Sequence, residues 1–169
     1  STPKPSSAAS DVYKRQHNMK SIENNFENPQ VNDLLKKHFK ELQSVSPEGS
    51  THVLDIEGLK NKSIKFWSLW NEDKLIGCGA LKILSKFHGE FKSIRVADTF
   101  RKKGIGKKII SHLILEAKKI GIKKISVETG AGNFFSPARK LFINYGFTEC
   151  EPFAHYKNDI NSKYYNLSI

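Results

Sequence analysis

The sequence is short of several things, and each shortage removes a class of function. It has two cysteines, Cys78 and Cys150, without the spacing of a metal-ligand pair. Each lies in an apolar, strand-like stretch, which reads as a reduced, buried thiol. No His/Cys cluster stands out, so no metal is expected. No apolar run is long enough to span a bilayer, and no charged segment followed by an apolar one reads as a secretory signal. The expected setting is the cytoplasm, with no membrane partner. No internal repeat is visible. Acidic residues are outnumbered, 17 Asp and Glu against 28 Lys and Arg, for a formal charge of +11. Such a surplus implies an anionic partner: nucleic acid, an anionic membrane surface or an anionic small molecule. Surfaces for nucleic acid interleave arginines with aromatics. The few arginines here rank that reading low.

What is present suits one domain, since 169 residues can bury a core without staples. The segment Ser1–Asn18 is rich in Ser, Ala, Pro and Lys and cannot bury enough apolar surface to order itself. It is expected to be a disordered, non-native tail, with the domain running from Met19 to Ile169. Lys4, Lys14 and Arg15 against Asp11 give that tail +2, so +9 belongs to the domain.

From Met19 the pattern alternates. A short strand is predicted over Lys20–Phe26. Asn28-Pro29 supplies an N-cap and a first-turn proline, and a helix follows to about Ser44, with Leu34, Leu35, His38, Phe39 and Leu42 at helical spacing. A helical turn is predicted near Asp55–Leu59. Ile64–Trp70 and Leu75–Leu84 read as a hairpin, and His88–Val96 as another strand. Gly104–Ile120 is the clearest helix, with Ile105, Ile109, Leu113, Ala117 and Ile120 as its apolar stripe and Gly121 as its stop. Lys123–Thr129 is a strand. Ser136-Pro137 opens a last helix by the same cap-and-proline logic, closed at Tyr145-Gly146, and Phe147–Cys150 and Tyr164–Ile169 are closing strands. The layout is α/β, with a mixed, mostly antiparallel central sheet and flanking helices.

The chemistry concentrates at Arg101-Lys102-Lys103-Gly104-Ile105-Gly106-Lys107-Lys108, which leads into the clearest helix. A helix start carries unpaired N–H groups and the positive end of the dipole. Glycines let a phosphate approach the backbone, and the surrounding lysines complete an anion cradle. The Gly-Lys-Ser/Thr ending of a nucleotide-triphosphatase loop is missing, as is the third glycine of a dinucleotide fingerprint.

In context, with a strand before it and Asn144-Tyr145-Gly146-Phe147 after the next helix, Arg101-x-x-Gly104-x-Gly106 resembles the GNAT acetyltransferase motif that binds the acetyl-CoA pyrophosphate. The fragments Gly77-Cys78-Gly79-Ala80-Leu81 and Glu151-Pro152-Phe153 are similar to a bacterial subgroup of this family. The resemblance implies a splayed cofactor-binding strand, Ser93-Ile94-Arg95-Val96, pairing with the pantetheine arm. It assigns the cofactor to Ile94, Arg95, Val96, Arg101, Lys102, Lys103, Gly104, Ile105, Gly106 and Lys107. Acetyl-CoA is then the co-substrate and a small-molecule or peptide amine the acceptor; a homodimer is compatible with this reading.

The resemblance also puts a general base at Glu90, on the same strand. Alternation places Glu90, Lys92, Ile94 and Val96 on one face, so Glu90 is expected to share a groove with the acetyl site. The alternative is a strand-edge Glu paired with Lys92 or Lys82. The tyrosine by which the family protonates the leaving thiolate is replaced by Phe142, and Tyr145, three residues on, points elsewhere on a helix. Asn133 is offset from the family's usual asparagine, whose place is Phe135. Tyr156 is the second choice for general acid, and His88 and His155 are weaker proton carriers. The expected activity is acetyl transfer to a primary amine by direct attack. A catalytically weak acetyl-CoA-binding protein is the alternative that Phe142 keeps open.

Overall fold

The computed structural model describes residues 19–169; the expected tail lies outside them. The chain runs β1 (Met19–Glu23), α1 (Pro29–Val45), α2 (Ile56–Leu59), β2 (Ile64–Asn71), β3 (Lys74–Ile83), β4 (His88–Val96), α3 (Ile105–Lys119), β5 (Lys124–Gly130), α4 (Ser136–Tyr145), β6 (Thr148–Glu149) and β7 (Ser162–Ser168). Seven strands form one sheet in the order β1-β2-β3-β4-β5-β7-β6. Among the described residues only β4 and β5 are parallel; the other pairs are antiparallel. The mixed, mostly antiparallel sheet is as expected.

Two cores explain why the central strands are apolar on both faces. On one, Trp67, Leu69, Leu81, Phe91, Ile125 and Val127 meet Ile109 and Leu113 of α3 and Phe142 of α4. On the other, Phe66, Cys78 and Ala80 meet Val31, Leu34 and Leu35 of α1. Trp67 and Trp70 therefore both serve cores, one on each side. Asn28 caps α1 through its side chain, accepting from the Gln30 and Val31 amides at 2.9 and 3.4 Å.

Four local expectations are corrected. The first strand stops at Glu23, because Asn24 turns to φ 54° and sends Phe26 down to stack on Phe66 at 4.8 Å. Ile120 is 43% exposed: it is the C-cap, past the last packed turn, and the buried stripe instead adds Ile110 and Ile114. Ser136 is no cap; a short 3-10 turn, Asn133–Phe135, feeds α4 directly and puts Ser136 inside the helix.

The fourth correction shapes the site. Along β3–β4, Ala80 pairs with Lys92 but Cys78 pairs with Arg95, so β4 carries one extra residue. This bulge centres on Ser93, at φ 53°. The buried Cys78 thiol donates to the Ser93 carbonyl at 3.3 Å; burial pushes its pKa up to about 12, which keeps it a donor. The extra residue breaks the alternation. Glu90, Lys92 and Arg95 share the α1 face, whereas Ile94 and Val96 pack on the α3 side.

Candidate active site

The β4–β5 ladder has three rungs, His88–Lys124, Gly89–Ile125 and Glu90–Ser126, and then ends. Beyond Glu90 the strands part. The opening is a cleft of about 690 Å³ whose walls include β4 from Glu90 to Val96, the end of β5, α4 and the start of α3. The expected splayed strand is therefore present.

At one end is the glycine-flanked helix start. Gly104 is the N-cap of α3, at φ 75° with open space where a Cβ would point, so backbone conformation is what calls for glycine there. Lys102 is also left-handed, at φ 62°, a costly conformation for a residue with a Cβ. Gly106 is glycine for a second reason: a Cβ there would lie 2.7 Å from Leu141 Cδ2 of α4. Arg101, Lys102, Gly104, Ile105, Gly106 and Lys107 line the cleft; Lys103 sits with its ammonium 5.5 Å from the Phe100 ring centre.

The two arginines are less free than the lysines. Arg95 turns its guanidinium to α1, donating to both Glu41 carboxylate oxygens at 3.0 and 3.2 Å and to Asp98 at 3.3 Å. Arg101 lies 2.9 Å from Asp98 and 3.9 Å from Glu41, and Lys37 also bonds Asp98. The hydrogen bond from Arg95 holds the Glu41 carboxyl below its ordinary range, and that from Lys37 does the same for Asp98. Beneath this network lies His38, whose pKa falls to about 4, chiefly through burial and then through Arg95.

At the other end is a buried polar group. Glu90 is 1% exposed. Tyr156 donates to Glu90 Oε2 at 2.5 Å, and Lys92 Nζ lies 3.1 Å from the Tyr156 oxygen and 3.4 Å from the same Glu90 oxygen. Glu90 Oε1 is buried with no hydrogen-bond partner. Burial first, and Glu90 second, lift the Tyr156 phenol far above its usual range, so it stays protonated. His155 stacks on the Tyr156 ring at 4.7 Å, and His88 bonds Ser126 at 2.6 Å. Phe142 is buried in the α3-side core, and Tyr145 bonds Ser111 at 2.9 Å, off the cleft.

Three groups at this end were not singled out from the sequence. Sequence pattern gives Lys92 no role beyond its place beside Glu90, and it gives His52 and Glu128 none. His52 packs edge-on against Tyr156, with ring centres 5.1 Å apart; burial, then Lys92, lowers its pKa. Glu128, on β5, stands two residues past the last rung and so on the same face as Glu90. Burial raises its pKa to about 7, Lys92 opposing and Glu90 and Asp159 reinforcing the shift. In Lys-Ile-Ser-Val-Glu-Thr-Gly it alternates like a solvent-facing residue; only a helix predicted over that face would have marked it. Among the described residues no group of three or more His, Cys, Asp or Glu could hold a metal, and no helix is long and apolar enough to cross a membrane.

The architecture has known counterparts. The model of the acetyltransferase (GNAT) family matches residues 28–147. The chain is 46% identical over 133 residues to YsnE of Bacillus subtilis, an uncharacterized N-acetyltransferase, covering 79% of this chain and 88% of that one. It is 36% identical over 141 residues to YedL of Escherichia coli, also an uncharacterized N-acetyltransferase, covering 83% and 89%. A crystal structure of a GNAT family acetyltransferase from Elizabethkingia anophelis with acetyl-CoA bound shares the fold. Its TM-score is 0.63 at 20% identity, over 90% of this chain and 99% of that one.

Proposed function

The chain belongs to the acetyltransferase (GNAT) family, and on that premise we propose that it moves an acetyl group from acetyl-CoA to a primary amine by direct attack. The observation that carries this reading is the parting of β4 from β5 after Glu90, which opens one cleft from a buried carboxylate to a glycine-started helix N-terminus. The residues fit the co-substrate. The α3 start offers unpaired amides and the lysines beside it offer charge for a pyrophosphate. The β4 edge facing the gap, near Ile94 and Val96, offers backbone to an extended arm and an amide to a developing oxyanion. Arg95 serves here through its backbone, since its side chain is held by Glu41. The thioester supplies the acetyl group.

An amine is protonated near neutral pH and must shed a proton to become a nucleophile. Glu90 is closed in by Tyr156 and Lys92, so its route to the substrate is the Tyr156 hydroxyl. In this mechanism the amine's proton passes to the Tyr156 oxygen as the phenol's own proton passes to Glu90 Oε2. The pair then returns that proton through the same oxygen to the departing thiolate, while the second proton on the attacking nitrogen is released to solvent as the amide forms; this restores both groups and gives Tyr156 the general-acid role for which Phe142 has no hydroxyl. A second reading, an acetyl-CoA-binding protein with little turnover, rests on Phe142. Calorimetry with acetyl-CoA and a turnover assay over a panel of amines separate the two. Micromolar binding, weakened by salt, with coenzyme A released only when amine is present supports the transferase. Binding without turnover of any amine supports the second reading, and no binding at all ends both.

A further inference from the structure

The proposed proton pair leaves Glu128 unused, and Glu128 is where a second cavity meets the cleft. A recess of about 140 Å³ opens between the end of α1, the 46–53 loop and the end of β5. Leu42, His52, Val53, Glu128, Gly130 and Phe135 line both spaces. Its outer side is closed by a latch. Ser50 Oγ donates to Asp159 Oδ2 at 2.6 Å, Asn161 Nδ2 donates to Ser50 Oγ at 3.3 Å, and the Asn161 amide donates to Asp159 Oδ1 at 2.9 Å. The latch ties the loop after α1 to the loop before β7, and Ser50 and Asn161 are themselves recess walls.

The charges around this junction are lopsided. Glu90 and Lys92 face it from β4, Glu128 from β5, His52 from the 46–53 loop and Asp159 from the loop before β7, with Tyr156 and Tyr164 as uncharged neighbours. Lys92 is bound to Glu90 and Tyr156. His52 is held neutral at pH 7 by burial and by Lys92. Against these stand three carboxyl groups, and one oxygen of the most buried, Glu90 Oε1, has no partner at all. A buried carboxylate oxygen left without a donor is costly, and a cation held nearby on Glu128 offsets the negative charge gathered around it. An acceptor that brings its own carboxylate meets Glu128 and Asp159 with like charge.

Resting on the acetyltransferase reading above, we propose that the acceptor is a compact primary amine without a carboxylate, whose ammonium group is received by Glu128 and whose remainder fills the latched recess. The volume sets the size: a water molecule's share of liquid is about 30 Å³, so the recess suits a handful of non-hydrogen atoms. The side chain of a lysine in a folded protein, approaching the recess from its outer side, would have to part the Ser50–Asp159 latch. Glu128 is on this account a positioning residue: it binds and orients the amine, while Glu90 and Tyr156 handle the proton.

The test compares 2-aminoethanol, glycine and a lysine-containing peptide as acceptors at saturating acetyl-CoA, with acetyl-CoA affinity measured separately. The expected result is a kcat/KM for 2-aminoethanol at least ten times that for glycine or the peptide. Glu128→Gln should raise the KM for 2-aminoethanol about tenfold or more, leave kcat within about threefold and leave acetyl-CoA affinity unchanged; Glu128→Asp should recover part of the loss. Because the ammonium needs the ionised carboxylate, the wild-type KM should fall as pH rises through about 7, and this dependence should vanish in Glu128→Gln. Glycine or the peptide performing as well as 2-aminoethanol overturns the proposal, as does an unchanged KM in Glu128→Gln. Loss of acetyl-CoA binding by the wild type would instead fell the transferase reading beneath it.

Discussion

The two ends of the cleft differ in kind, and the proposed function has them recognise their ligands by opposite means. At the α3 end the surface is open and cationic, offering backbone amides and lysine ammoniums standing in water. At the β5 end the groups are enclosed and mostly acidic, with side chains bonded to one another: Tyr156 to Glu90, Lys92 to both. Exposed charges act through a screened medium and respond to salt. Enclosed ones act through desolvation and respond to pH. One cleft should therefore show two signatures, ionic strength governing the cofactor and pH governing the acceptor.

The largest expected effect lies at the enclosed end. Glu90→Gln should lower kcat by roughly 10²–10⁴-fold at neutral pH while leaving acetyl-CoA affinity alone. The deficit should shrink at high pH, where more amine is already neutral. Tyr156→Phe should match it, because the proposed proton path runs through that hydroxyl. Wild-type turnover across pH in Glu90→Gln would remove Glu90 from the mechanism and leave the cofactor end untouched.

Next in size is a stability effect of unusual sign. The Glu128 carboxyl titrates near 7 when folded and near 4.5 when unfolded. Between those values the native state holds a proton that the unfolded state has released, so this group costs stability as pH rises through the window. Glu128→Gln should accordingly be more stable than the wild type at pH 8, by up to about 3.5 kcal/mol at 1.4 kcal/mol per pKa unit, and no more stable at pH 4. Chemical denaturation at the two pH values measures the gap; a gap independent of pH would mean that the carboxyl is not desolvated.

Smallest is the change at the open end. Replacing Lys103 and Lys107 together by Ala should weaken acetyl-CoA binding about three- to thirtyfold, at a few tenths to 1 kcal/mol per exposed charge. It should also flatten the dependence of affinity on salt, with kcat little altered. Titrations at low and high ionic strength decide it; equal losses at both would mean that those lysines act through structure rather than charge. Gly106 is a poor probe of this end, because any larger residue strikes Leu141 before it can report on a phosphate.

The same contrast explains what could be read in the sequence. The open end is a contiguous run, Arg101–Lys107, whose chemistry follows from local order alone, and the helices and strands around it fall within a few residues of expectation. The enclosed end is assembled from groups far apart in the chain. Glu90 was legible as a carboxylate on the strand that splays, and Tyr156 only as a second choice. Lys92, His52 and Glu128 become neighbours through pairing and loop closure that alternation does not encode. Glu128 was hidden because a polar residue alternating with Ile125 and Val127 looks solvated, whereas this sheet is covered on both faces. The Ser93 bulge left no mark either: the turn to φ 53° is made by a serine, where glycine would have been the signal.

The bulge gives β4 a counting rule. Up to Lys92, every second residue faces α1; from Arg95 onward the rule resumes out of phase by one, so the strand is read in two frames joined at Ser93. A substitution at Ser93 changes one letter and leaves both frames standing. Drawing Ser93 into regular pairing would carry the Arg95 guanidinium to the α3 side, away from Glu41, whereas removing the residue closes the bulge with Lys92 and Arg95 still on the α1 face and Ile94 and Val96 still on the α3 side. In this strand the facing of the far half depends on one residue staying out of the ladder.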